Sequence, residues 1–325
     1  MKYIIRVVIL IIIISSCSDS KKESSTVKEK PLVQAPSFNA DSAYYFVQTQ
    51  VDFGPRVPNT PGHMAAGDFF INKLKSYGAT IKVQSFEATT FDNNTVELRN
   101  IMAQFNPSAT KRILLAAHWD TRPFADKDKD EPNKAMIGAN DGASGVGVLL
   151  EIARQVGQTP PNVGVDILLF DGEDWGEKHD MGYVDTPANL EAWWCLGSQY
   201  WSKNKGSYSA YYGILLDMVG AKGSQFYMEG LSKQYAPRIV NKVWNTASQI
   251  GYGNYFIPQS KPSITDDHAF VNKNAGIPMI DIVHYDPAHG YFGDYHHTHK
   301  DNMELIDTRT LKAVGQTVLT VLYNE

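Results

Sequence analysis

Four stretches of the chain are apolar at nearly every position: "RILLAAHWD" from Arg112, "VGVDILLFDG" from Val163, "YGILLDMVG" from Tyr212 and "IPMIDIVHYD" from Ile277. Short continuous apolar runs suit strands buried on both faces, as in a mostly parallel sheet. Between them the apolar positions recur at helical spacing. Val146, Leu149, Leu150, Ala153 and Val156 form one such stripe, and Ile239, Val243, Thr246, Ala247 and Ile250 another. The chain ends on a third helical pattern, "TRTLKAVGQTVLTVLYNE", and "GHMAAGDFFINKLKSYGA" predicts an early helix closed by Gly78. "TIKVQSFEATTF" and "NTVELRNIMAQF" alternate as edge strands do. Strands alternating with helices predict an α/β three-layer sandwich around a mostly parallel mixed sheet. No internal repeat or second compositional zone appears, so residues 38–325 read as one catalytic-sized domain.

The first 37 residues have a different character. "MKYIIRVVILIIIISSC" is a basic start, an apolar run from Val7 to Ile14, and small residues before Cys17. The run is too short to span a bilayer as a helix and fits the core of a secretory signal. "ISSC" resembles a bacterial lipobox, which implies cleavage before Cys17 and a lipid on its sulfur. Residues 18–37, containing "SDSKKESSTVKEKPLVQAP", are polar enough to be a disordered tether. The expectation is an exported lipoprotein anchored to a membrane and facing the periplasm. Only one other cysteine exists, Cys195, so a lipidated Cys17 leaves no intrachain disulfide. Losing Lys2 and Arg6 with the leader takes the formal charge from −5 to about −7, and no basic run exists, which argues against nucleic acid as a partner.

Ligands of open α/β sheets sit beyond the carboxyl ends of the strands. The polar residues there are His118 and Asp120, Asp141 in "GANDGASG", Asp171, Glu173 and Asp174 in "DGED", Asp217, Asp266, Asp267 and His268 in "SITDDHAF", and His296, His297 and His299 in "DYHHTHKD". A lone strand-end Asp is usually a helix cap and a lone His a solvated side chain. Every strand end here carries a carboxylate or an imidazole, which is what zinc needs when thiolates are absent. No H-E-x-x-H, G-x-S-x-G or P-loop pattern occurs. Gly142 and Gly145 lack dinucleotide-binding spacing and read as glycines for close helix packing.

The order "HWD", "GANDGASG", "DGED", "LLDMVG", "DDHAF", "HHTHKD" resembles the zinc-dependent exopeptidase fold, and within it the animal-type glutaminyl cyclases in their bacterial lipoprotein form, from about Val51 to the C-terminus. The resemblance implies one zinc per chain held by Asp141, Asp174 and His297. It implies Glu173 as general acid/base, and Asp217 and Asp266 as a hydrogen-bonded carboxyl pair near the substrate amide. Peptides or proteins with N-terminal glutamine become the expected partners. Asp171 matches no role and reads as structural. Three departures stand out: Asp174 replaces the usual Glu, His296 replaces an aromatic residue, and the segment from Trp175 to Trp194 is long. Trp175, Trp193 and Trp194 are candidates for the missing indole, with Trp193 or Trp194 expected in the substrate pocket.

The same scaffold supports a rival. In a two-zinc aminopeptidase, His118 and Asp217 would hold a second zinc, Asp141 would bridge, and Glu173 would activate water. In aminopeptidases resembling this chain, the position of Asp266 is usually a small hydroxyl residue. A binding module that kept the fold without activity is the third reading; it would bind zinc but turn over neither substrate class.

Overall fold

The four apolar runs become four neighbouring parallel strands, which explains why both their faces are apolar. The structure is a computed structural model that describes residues 31–178 and 193–325. In chain order the sheet strands are β1 (Thr80–Thr89), β2 (Thr95–Phe105), β3 (Arg112–His118), β4 (Gly164–Phe170) and β5 (Tyr212–Asp217), followed by the short pair β6 (Phe226–Met228) and β7 (Phe256–Ser260) and by β8 (Met279–Val283). The main sheet runs β1-β2-β4-β3-β5-β8. Pairing is parallel across β4-β3-β5-β8 and antiparallel at β1-β2 and β2-β4. The alternating segment in β2 is therefore an interior strand, not an edge. Its second half, Ile101 to Phe105, is buried because it pairs with β4.

Side chains of successive strand residues serve two cores. Ile113, Leu115, Ile167, Leu169, Ile214, Leu216, Ile280 and Ile282 join the larger cluster. Helices α1 (Ala40–Asp52), α2 (Pro61–Ser76), α3 (Ala143–Gln158), α6 (Pro237–Gln249) and α8 (Thr308–Tyr323) contribute to it. Leu114, Ala116, Leu168, Phe170 and Leu215 face the smaller cluster, which Trp201 of α4 (Leu196–Asn204) covers. Each fully buried Leu or Ile contributes roughly 1.5–3 kcal/mol. Two layers of such residues make the sheet a rigid platform for the groups at its carboxyl end. Two short helices, α5 (Gly230–Tyr235) and α7 (Asp267–Phe270), lie in the later half of the chain, and α7 runs on into a π-helical turn, Val271–Ala275.

The first helix stripe read from the sequence falls within α3 and the second within α6 except for Ile250, its C-cap, and both "GHMAAGDFFINKLKSYGA" and the terminal pattern become helices. Caps explain their ends: the Thr60 side chain accepts the His63 N–H ahead of Pro61, and the Asp307 side chain accepts that of Arg309. At α3 the glycines act by absence. A Cβ on Gly142 would collide with the carbonyl and ring of His118, and one on Gly145 with the carbonyl of Leu216. The helix start can thus press on β3 and β5, which brings Asp141 to the strand ends.

Residues Val33–Glu325 form one compact unit. It begins earlier than the expected Phe38, because Val33 exchanges hydrogen bonds with the Asn324 side chain, and Gln316 bonds Pro36 and Phe38. Cys17 and most of the expected tether lie outside the described residues. Among the described residues, no helix is long and apolar enough to cross a membrane.

Candidate metal and catalytic centre

The turn after β4 is built by a carboxylate from the neighbouring strand end. Asp120 accepts the backbone N–H groups of Glu173 at 3.0 Å and Asp174 at 3.1 Å. Asp171 turns away, accepting from the Nε2 of His63 at 2.9 Å and the backbone N–H of Arg99 at 2.7 Å, which fits a structural role. The loop bearing Asp141 is fixed the same way. Asp301 accepts the N–H groups of Asn140 and Asp141, at 2.6 and 3.0 Å, and the buried Arg56 donates to the carbonyls of Trp119, Ile137 and Gly138. Burial, reinforced by the Asp141 charge, pushes the Asp301 carboxyl up to about 8.

His297 stands between the two carboxylates. Its Nε2 lies 3.2 Å from Asp174 Oδ1 and 4.0 Å from Asp141 Oδ2, and its Nδ1 lies 3.5 Å from Asp126 Oδ1. Asp126 is held by the Nε and Nη2 groups of Arg122, whose guanidinium also donates to the carbonyls of Asp174, Gly176 and Glu177. A carboxylate on the far nitrogen of a ligating imidazole fixes its orientation. Asp126, Asp301 and Arg122 carry no role that the sequence alone suggests. No local signal marks them, since each acts through a partner distant in sequence.

The donor set fits a zinc ion. Both carboxylate oxygens of Asp174 are buried without a hydrogen-bond partner, a costly state that a cation relieves. Two carboxylates and an imidazole are suitable ligands. His296 also brings a ring nitrogen within 4.8 Å of donor atoms of Asp141 and His297. Its Nδ1, however, meets the Lys127 Nζ at 2.6 Å, and its ring stacks on His297 with centroids 3.7 Å apart. Asp174, with its two unpartnered buried oxygens, is the third candidate ligand, and His296 supplies a flat ring where an aromatic residue was expected.

A second donor set adjoins the first. His118 Nε2 is 3.0 Å from Asp141 Oδ1 and 3.2 Å from Asp217 Oδ1. Burial pushes the Asp217 carboxyl up to about 7 despite the His118 hydrogen bond, with Asp141 and Asp266 adding to the rise.

Glu173 is half-buried, and its carboxyl is raised well above its ordinary range by burial, opposed by His118 and reinforced by Asp174, Asp266 and Asp267. Donor atoms of Glu173, Cys195 and Asp266 lie within 4.8 Å of one another. Of the expected carboxyl pair, Asp217 meets His118 at 3.2 Å and has Asp266 close enough to add to the rise of its carboxyl. Asp266 caps α7 by accepting the Asp267 N–H and faces Asp281, a carboxyl on β8 that burial, with Asp266 next, raises well above the ordinary range. Asp281 sits inside an apolar run, and a single acid between Ile280 and Ile282 is its signal in the sequence.

Of the tryptophans, Trp194 reaches the site. Its ring is parallel to that of His297, 7° apart with centroids at 6.0 Å, and its Nε1 donates to Glu177 at 3.0 Å. Gly176 permits this, since a Cβ there would occupy the space of the indole. Trp175 packs instead beside Phe86 and Leu196, and Trp193 is half-buried. Residues 179–192 lie outside the described part.

The sheet order, the glycine-led helix and the carboxylate-imidazole cluster at the strand ends define a zinc-dependent exopeptidase-like protein. The profile of peptidase family M28 matches residues 100–322, and the chain belongs to that family. It is 50% identical to the Bacteroides thetaiotaomicron glutaminyl cyclase solved with N-acetylhistamine, over 90% of this chain and 100% of that one, with a TM-score of 0.86. The Porphyromonas gingivalis glutaminyl cyclase is 51% identical over 89% of this chain and 99% of its own, with a TM-score of 0.83. A structure described as a leucine aminopeptidase precursor from Bacteroides thetaiotaomicron is 49% identical over 90% of this chain and 100% of its own, with a TM-score of 0.85. Among curated relatives, the chain spans 54% of the Bacillus subtilis aminopeptidase YwaD, at 27% identity over 83% of this chain.

Proposed function

We propose that the protein is a glutaminyl cyclase, converting the N-terminal glutamine of peptides or proteins to pyroglutamate with release of ammonia. Similarity alone does not separate this from peptide hydrolysis, because relatives at about half identity carry both descriptions. The observation that carries the reading is Asp266 beside Glu173, which gives the proton-transferring carboxylate a second carboxyl at the reacting amide.

The α-amine must attack the side-chain amide carbon, and near neutral pH that amine is largely protonated, with a pKa of about 8. Glu173 takes the amine proton and returns it to the departing nitrogen, so the new C–N bond forms as ammonia leaves. A positioned group doing this contributes roughly 10²–10⁴-fold. Asp266 holds the leaving nitrogen, and burial, which raises its carboxyl, lets it remain close to Glu173 without full charge repulsion. Trp194 and His296 wall the pocket with flat rings that exclude water, which this reaction does not consume. Asp141, Asp174 and His297 would hold zinc, which when bound supplies Lewis-acid polarisation of the γ-carbonyl.

The His118–Asp141–Asp217 donor set favours the second reading, a two-zinc aminopeptidase. Metal analysis and product analysis together separate the two. The cyclase reading expects about one zinc per chain, ammonia from Gln-peptides and no free amino acid from Leu- or Ala-amides. Two tightly held zincs with steady release of a free amino acid would reverse the choice.

The leader supports an anchored, periplasm-facing lipoprotein lipidated at Cys17. Cys17→Ser is expected to move the protein from the membrane fraction to the soluble one. Full retention in the membrane would end the lipobox reading.

A further inference from the structure

Cys195 is fully buried, is not in a disulfide, and is the first residue before α4. Its backbone is left-handed, with φ at +57°, an uncommon conformation for a residue bearing a side chain. Two backbone bonds tie this corner to the catalytic turn: Cys195 N–H donates to the Glu173 carbonyl at 2.9 Å, and Leu196 N–H to that of Gly172 at 3.0 Å. The corner therefore brings the thiol to the Glu173 side chain, with Sγ 3.3 Å from Oε1.

We propose that Cys195 is a positioning residue for catalysis, its thiol donating to Oε1 of Glu173 so that Oε2 is the oxygen left to take and return the substrate proton. This rests on Glu173 being the general base. A carboxylate on a flexible side chain needs one oxygen anchored if the other is to meet a proton repeatedly in one geometry. The peptide bonds of the turn are already pinned by Asp120, but they leave the torsions of the Glu173 side chain free. The Cys195 thiol donates to that carboxylate directly. A thiol suits the place because it is a weak donor, so it orients the carboxylate while taking little of its basicity.

Kinetics of Cys195→Ala and Cys195→Ser in the zinc-loaded full chain test this. The loss of one modest hydrogen bond predicts a roughly three- to tenfold drop in kcat for Cys195→Ala. KM and zinc content should stay near wild type, and Cys195→Ser, which keeps a donor, should recover most of kcat. A Cys195→Ala variant with wild-type kcat, or Ala and Ser variants impaired alike, would overturn the proposal. A merely structural role would instead lower thermal stability and raise KM without rescue by Ser. If Cys195→Ala does not fold, the S–H stretching band decides. It is expected to rise in frequency in Glu173→Gln, where the charged acceptor is gone, and an unmoved band would sink the contact. The vibrational readout does not depend on turnover, so it stands apart from the glutaminyl cyclase reading. Wild-type enzyme inactive on Gln-peptides would refute that reading alone.

Discussion

Glu173→Gln is expected to keep its zinc and lose at least about 100-fold in turnover of N-terminal Gln peptides, the lower end of what a positioned general base contributes. The substitution preserves shape and removes the ionisable carboxylate. The contacts that build the turn run through backbone groups, from Asp120 to the N–H groups of residues 173 and 174, so they survive it. The Cys195 thiol can still donate to an amide oxygen. Removing the carboxylate also relieves repulsion, since Asp174, Asp266 and Asp267 all add to the rise of the Glu173 carboxyl. Thermal stability should accordingly hold or rise while activity falls, the usual sign of a group placed for chemistry rather than for folding. Zinc content and a thermal melt measured on the same preparation check it. Loss of zinc from this variant would make Glu173 a ligand and overturn the assignment.

The fold was legible in the sequence because the four apolar runs are buried on two faces and have few other solutions. Strand β2 misled because its first half alternates as an exposed segment does, while its second half pairs with β4. Helix α1 passed unnoticed beside the polar tether, although Ala43, Phe46, Val47 and Gln50 make a buried stripe at helical spacing. The centre followed the same logic. Glu173 and Asp174 follow β4, Asp141 precedes α3 and His297 lies in a histidine-rich motif, so local pattern marks each, and the structure brings them together. Residues that act one contact further out have no such mark: Asp126 orients His297, Asp301 fixes Asp141, and Cys195 reaches Glu173 across a gap of 22 residues. Their effect depends on loop geometry that spacing along the chain does not encode. Asp281, which faces Asp266 from β8, is a further case. Two carboxyls can be matched by motif, but which acid lies within reach depends on how β8 stands against α7.

Asp174→Ala is the companion experiment, and its expected result is the opposite one: zinc is lost. Losing an outer partner of a ligand weakens metal binding about 10–100-fold, and losing a ligand itself should cost more than that. Asp174 is buried, its two oxygens lack hydrogen-bond partners, and Oδ1 lies 3.2 Å from Nε2 of His297. The Arg122 guanidinium stands 3.7 Å from the same oxygen, too far for a hydrogen bond, so it tempers the negative charge without taking the place of a cation. Arg122 keeps its bonds to Asp126 and to the carbonyls of residues 174, 176 and 177 when the carboxylate is removed. The loop should therefore keep its course, and the loss should appear as weaker zinc binding in a folded chain. Zinc titration against a competing chelator, with a melt to confirm folding, measures this. Asp174→Glu adds a methylene and restores the residue type common in the resembling family. If the side chain is a ligand, that variant should bind zinc far better than Asp174→Ala. Wild-type zinc affinity in Asp174→Ala, set beside zinc loss in Glu173→Gln, would exchange the roles of the two neighbours and undo the mechanism built on them.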